Sequence, residues 1–219
     1  SNEQYLVDGK KNYWLTNGLK RSGWVRVSGR TGGYGVVVGD VVVKNNIDVG
    51  GYTTGSYSEC TFVVDGDLTL TGELQMRKNS VVIVTGNLTC GKLFMKDGAR
   101  LYVKGKITAN DMSYDGDSNQ KIYCGGNAII PHNLDSSREF KIGGNLEAHE
   151  LSLTYTNYYF GGSVKCTKFN AENNDMNLIV DSFECSGTTT LNNRTSLTVN
   201  GNAKTGTINM YNDSVISVC

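Results

Sequence analysis

The sequence predicts an all-β protein: a single-stranded parallel β-helix, or β-solenoid, triangular in section, with about 18–21 residues per coil. Three observations predict it. A phrase of apolar residues interrupted by Gly recurs at a nearly constant interval. Within each recurrence the apolar residues alternate with polar ones, which is the period of a strand. Gly and Asn gather between the runs, where tight bends need positive φ.

The phrase is plainest from Val82 to Thr108. There Val82, Val84, Gly86 and Leu88 answer to Leu101, Val103, Gly105 and Ile107. Its marker falls at Gly66, Gly86, Gly105, Gly126, Gly144, Gly162, Asp181 and Gly201. Successive spacings are 20, 19, 21, 18, 18, 19 and 20 residues. A period near twenty is that of a stacked supersecondary unit.

In this register the residues around the marker form apolar columns. Two before it stand Val64, Val84, Val103, Cys124, Ile142, Phe160 and Val199. Two after it stand Leu68, Leu88, Ile107, Ala128, Leu146, Val164, Phe183 and Ala203. A third run follows, in pairs such as Leu74/Met76, Leu93/Met95 and Leu151/Leu153. Three runs separated by corners describe a triangular coil. The corners lie at the marker, at Gly72, Gly91 or Gly206, and near Asn79, Asp97-Gly98 or Asn212-Asp213. An antiparallel sandwich would not keep these columns in step.

Residues 1–35 do not scan in the repeat and are expected to form an N-terminal cap. Their Tyr5, Tyr13, Trp14, Trp24 and Tyr34 would close the open end of the core. Their six basic residues against two acidic ones leave a second reading, a basic aromatic patch for sugar or nucleic acid. The solenoid is expected over 36–219, with an insertion at 50–57. At its far end Ile216 and Val218 hold inward positions with nothing polar over them. That end either continues in a longer chain or stacks on another copy.

Twenty-one basic residues balance twenty-one acidic ones, so no global field favours nucleic acid or an anionic membrane. No apolar run approaches the length of a transmembrane segment, and no signal-peptide pattern opens the chain. Cys90, Cys124, Cys166 and Cys185 replace apolar residues at inward positions. Buried free thiols favour a reducing, cytoplasmic setting, with a secreted or cell-surface location left open. Cys166 and Cys185 fall on adjacent coils, so one bridge between them also stays open.

The segments Gly86-Asn87-Leu88-Thr89-Cys90, Asp97-Gly98-Ala99-Arg100-Leu101 and Gly105-Lys106-Ile107-Thr108-Ala109 resemble bactofilins, bacterial polymer-forming cytoskeletal proteins. The resemblance covers residues 60–160 best. It implies a right-handed coil and nucleotide-free assembly end to end into filaments.

Three before the marker, facing out, stand Val63, Ile83, Tyr102, Tyr123, Lys141, Tyr159 and Thr198. An apolar and aromatic stripe on a wet face marks an interface; strand propensity alone is the plainer reading. Val63, Ile83, Tyr102, Tyr123 and Tyr159, with Ile216 and Val218 at the end, are the candidate interface. Three after the marker the charges alternate through Glu147, Lys165, Glu184 and Lys204 and should pair along the stack.

No column gathers the carboxylate pair that glycoside cleavage needs. The run Gly29-Arg30-Thr31-Gly32-Gly33 lacks the Lys-Ser/Thr ending of a phosphate loop. His132 and His149 share a corner with Glu150 and Asp135 nearby; such a cluster can hold a transition metal, but coincidence at a polar corner is the plainer reading, and the pair is too bare for hydrolysis without a third ligand and a cleft. The sequence therefore points to no enzyme, no cofactor and no metal. It points to a structural scaffold whose partner is itself. The alternatives are a module of a larger surface protein recognising a protein, ligand or glycan, and a β-helix polysaccharide lyase or hydrolase.

Overall fold

Alternation of buried and open residues, repeated turn after turn, makes each short strand dependent on the turn stacked against it. A computed structural model shows how the turns stack. It describes residues 4–7, 12–27, 32–50, 52–53, 56–57, 59–115, 119–135, 138–154, 158–172 and 175–219. Among these residues there is no helix, and the fold is a parallel β-solenoid. The chain forms two compact units, Ser1–Cys124 and Gly125–Cys219.

The first unit begins with β1 (Gln4–Val7), β2 (Tyr13–Leu15), β3 (Leu19–Arg21) and β4 (Val25–Val27). Next come β5 (Tyr34–Val38), β6 (Val41–Val43), β7 (Ile47–Val49), β8 (Tyr52–Thr53) and β9 (Ser56–Tyr57). Then follow β10 (Thr61–Asp65), β11 (Leu68–Leu70), β12 (Glu73–Met76), β13 (Val81–Val84) and β14 (Leu88–Lys96). It closes with β15 (Arg100–Val103), β16 (Ile107–Asp115) and β17 (Lys121–Cys124). One face stacks β2-β5-β10-β13-β15-β17, all parallel. The other two runs stack as β3-β6-β11-β14 and β1-β4-β7-β12-β14, both continuing into β16.

The register is the one the columns predict. Phe62 pairs with Val82 and Val82 with Leu101, while Val64, Val84 and Val103 follow in step, all buried. Leu74/Met76 and Leu93/Met95 pair likewise in the third run and are fully buried. Full burial of such a side chain stabilises by about 1.5–3 kcal/mol.

Residues 1–35, expected to lie outside the repeat, carry a turn of it. β2, β3 and β4 pair in parallel with β5, β6 and β7, and Leu15 and Leu19 stand beneath Val37 and Val41. The turn is disguised because Asn17 holds the marker place and Arg21 pairs with Val43 at an inward position. The tryptophans do not close a core here. Trp14 faces out, 64% exposed, and Trp24 is half-buried with the Arg26 guanidinium 5.3 Å from its ring centre. The core of this turn is Leu19, Val25 and Val27. Within the 50–57 insertion, β8 and β9 form an antiparallel pair, Tyr52 opposite Tyr57.

The marker corner is held by a side-chain ladder. The Asp40 carboxylate accepts from the backbone N–H of Asp67 at 2.9 Å, Asp67 from that of Asn87 at 2.8 Å, and Asn87 from that of Lys106 at 2.9 Å. Gly105 must be Gly, since a Cβ there would lie 2.6 Å from the Gly86 carbonyl oxygen and collide with the Asn87 amide. Where β7 meets β12, the Asp48 carboxylate is buried and accepts from Arg77 Nε at 3.0 Å and Nη2 at 3.3 Å.

The second unit runs β18 (Ala128–Asp135), β19 (Glu139–Ile142), β20 (Leu146–Leu153), β21 (Tyr158–Phe160), β22 (Val164–Cys166) and β23 (Lys168–Ala171). It continues with β24 (Asn177–Val180), β25 (Phe183–Leu191), β26 (Ser196–Val199), β27 (Ala203–Met210) and β28 (Val215–Val218). β18 pairs with β20, β20 with β22 and β23, these with β25, and β25 with β27. The third face is interrupted. β19 pairs with β21, and β24 with β26 and β28, but β21 and β24 share no ladder. The interruption falls where a corner is one residue short. Phe160 reaches Val164 through Gly161-Gly162-Ser163, whereas Val180 reaches Phe183 through Asp181-Ser182 alone.

Two outcomes test this account. Gly105→Ala should lower the urea-unfolding stability by roughly 1–3 kcal/mol; an unchanged midpoint would contradict the close approach of the corners. Arg77→Met, which strands a buried carboxylate, should destabilise by roughly 3–5 kcal/mol. The double change with Asp48→Val should recover much of that loss.

Candidate functional site

Strands that bury every second residue show the others to solvent, and in parallel register those outward residues stack into columns. In the first unit one such column is apolar throughout: Trp14, Val36, Val63, Ile83, Tyr102 and Tyr123 are successive register partners. Strands lie ~4.8 Å apart, so the column runs for about 24 Å. Val63, Ile83, Tyr102 and Tyr123 are each half-buried by their neighbours along it. The Tyr102 and Tyr123 rings lie 5.1 Å apart, tilted by 39°. Such a pair adds about 0.5–1.5 kcal/mol beyond its area.

Sequence reasoning named Val63, Ile83, Tyr102 and Tyr123 and missed Trp14 and Val36. The missing signal was there to read: Leu15 and Leu19 have the spacing of Val64 and Leu68 about the marker. Beside the tyrosines Arg100 and Lys121 are register partners on the same face. Like charges set opposite one another on a sheet oppose its pairing.

In the second unit the stripe is broken. Lys141 pairs with Tyr159, which is 59% exposed. Past the interruption the outward column reads Ile179, Thr198 and Ser217. Ile179, 54% exposed, was missed because the short corner shifts β24 by one residue against the marker. Ile216 and Val218 lie in β28 opposite Leu197 and Val199, the inward positions expected of them. Ile216 is half-buried and Val218 is 56% exposed. The alternating column is in register: Glu147, Lys165, Glu184 and Lys204 are successive partners.

His132 lies in β18 and His149 in β20, at a point where the register between the two strands shifts. Their neighbouring carboxylates are engaged, Glu150 with Lys168 at 3.4 Å and Asp135 with Arg138 at 3.5 Å. Among the described residues no group of three His, Cys, Asp or Glu side chains could hold a metal ion. No helix among them is long and apolar enough to cross a membrane.

All six thiols are free; Cys219 is exposed and the other five are buried. Cys166 and Cys185 are register partners, and Cys185 Sγ donates to the Thr167 carbonyl at 3.4 Å. Burial raises the pKa of Cys166, and the neighbouring Cys185 adds to it. Burial alone pushes Cys90 up from 9.0 to about 12.

No family model matches the chain, and no curated protein or solved structure matches it. The structure therefore establishes a β-solenoid and leaves the function to be argued from its surfaces.

The raised thiols give a pH dependence of definite sign. Above pH ~9 the unfolded chain ionises Cys90 while the folded chain holds it protonated, so unfolding releases a proton. Stability is fully present below that pH. It is lost as pH rises from 9.0 towards about 12, by about 1.4 kcal/mol per pH unit for this thiol. Urea midpoints followed across that range should fall. The fall should be shallower in Cys90→Ala, which copies the native Ala109 at the adjoining position.

Proposed function

We propose that the protein is a non-catalytic structural scaffold that self-associates, in the manner of bactofilins. The observation that carries this reading is the outward column from Trp14 to Tyr123. Six consecutive rungs of apolar and aromatic side chains on one sheet face exceed the scattered exposure of an ordinary surface. A second copy laid along the same column would bury both.

The absence of a catalytic role belongs to the same reading. Its support is the use made of the charged side chains: Arg77 with Asp48, Lys168 with Glu150 and Arg194 with Asp175 clamp one turn to the next. A reducing compartment suits five buried free thiols. A balanced net charge suits a protein that binds no nucleic acid.

Sedimentation velocity without nucleotide, over a wide range of concentration, is the test. The mean mass should grow with concentration, and elongated particles should appear in electron micrographs. Tyr102→Ser with Tyr123→Ser should weaken the association about tenfold or more while leaving the melting transition cooperative. A monomer at every concentration and salt would overturn the reading.

A further inference from the structure

The interruption between β21 and β24 leaves a crevice of about 330 Å³ in the side of the second unit. It is closed at the marker corner, where Asp181 N–H donates to the Gly162 carbonyl at 3.0 Å. On the other faces the same turns stay paired, β22 and β23 with β25. Those ladders hold the turns one strand apart, so the crevice is a wedge and cannot admit a whole extra strand.

Its lining is specific. Tyr159 and Ile179 present apolar surface from opposite lips, both more than half exposed. Asn177 and Asp181 line it from the Ile179 lip, two residues to either side of Ile179 along the chain. Asn177 Oδ1 accepts from the Ser196 hydroxyl at 2.9 Å, which keeps its amide N–H groups as donors. The Asp181 carboxylate makes no side-chain bond and can accept from two hydroxyls. The volume is at the small end of the range for ligand pockets, ~300–1,000 Å³.

We propose that this crevice binds a neutral pyranose unit of a glycan. A pyranose has a flat apolar face of C–H groups, which suits the Tyr159 ring, and a rim of hydroxyls, which suits the Asp181 carboxylate. Asp181 is the one charged residue among the described residues of the lining, so uronic acids and sulfated sugars are disfavoured. The site is separate from the surface assigned to assembly and does not rest on that assignment.

The test titrates the full chain with maltotetraose, cellotetraose and tetra-N-acetylchitotetraose, and with tetragalacturonate as the acidic probe, by calorimetry and ligand-observed NMR. At least one neutral probe should bind with Kd of about 1 mM or tighter. Tyr159→Ala and Asp181→Ala should each weaken it about tenfold or more, and tetragalacturonate should bind at least about tenfold more weakly. Lys106→Ala, in the other unit, should leave the affinity unchanged. Tyr159 is exposed, and a melting curve alongside each titration separates lost binding from lost folding. Sedimentation of the same samples reads assembly independently. Failure of every neutral probe at up to about 10 mM would overturn the proposal. So would binding that survives both substitutions, or a preference for the acidic sugar.

Discussion

The structure depends on how closely one corner can approach the next. At the marker, glycine backbone lies against glycine backbone, Gly86 over Gly66 and Gly105 over Gly86, with N–H···O bonds of 2.9 and 3.0 Å. No side chain fits between them. The next residue then turns its own side-chain oxygen to the N–H of the following turn, from Asp40 through Asp67 to Asn87. These corners are exposed, so water would serve the donor in its place, and each such bond adds only about 0.5–1.5 kcal/mol net. The ladder recurs in the second unit, where Asn127 serves Asn145 and Asn145 serves Ser163, both at 2.8 Å.

Once the corners are locked, everything between them is in register. Leu88 must meet Ile107 and Val84 must meet Val103, because three residues separate each pair about its marker. The core is then built from columns of like with like, and its stability accumulates from neighbour to neighbour. The same arrangement confines damage, since a fault at one corner is felt by the adjoining turns. A buried carboxylate on the outward face, Asp48, is held across turns as well. Arg77, one turn on, reaches it with two N–H groups.

The fold was legible because period and alternation are both local signals. The columns around Gly86 and Gly105 need no tertiary knowledge, and the corner residues name themselves through Gly and Asn. The first turn was not legible for an equally physical reason. Arg21 stands exposed at an inward position where Val43 is buried one turn later, and the pattern is lost. Trp14 was misassigned in consequence: aromatic content suggests a cap, while register places it on the outward column. The candidate surface was half legible. Tyr102 and Tyr123 follow from counting along the repeat. Their ring contact, and the pairing of Arg100 with Lys121 beside them, needed coordinates.

A repeat this regular leaves little room for chemistry in its core, where every position answers to the position above and below. Distinct features can arise only where the count changes. Asp181-Ser182 is such a place, and the shortened corner does two things together. It displaces β24, so that Ile179 rather than the expected residue faces out, and it opens the ladder that elsewhere seals the face. Aromatic rings crowd the same turns: Phe169 and Phe183 pack edge to face at 5.2 Å, and Tyr158 stacks on Phe160 at 5.9 Å. Burial also raises the Tyr158 phenol pKa, so the ring stays neutral beside the crevice. The deletion and the crowded aromatics are both visible in the sequence. What the deletion does to the ladder follows only from seeing that the other faces of the same turns remain closed.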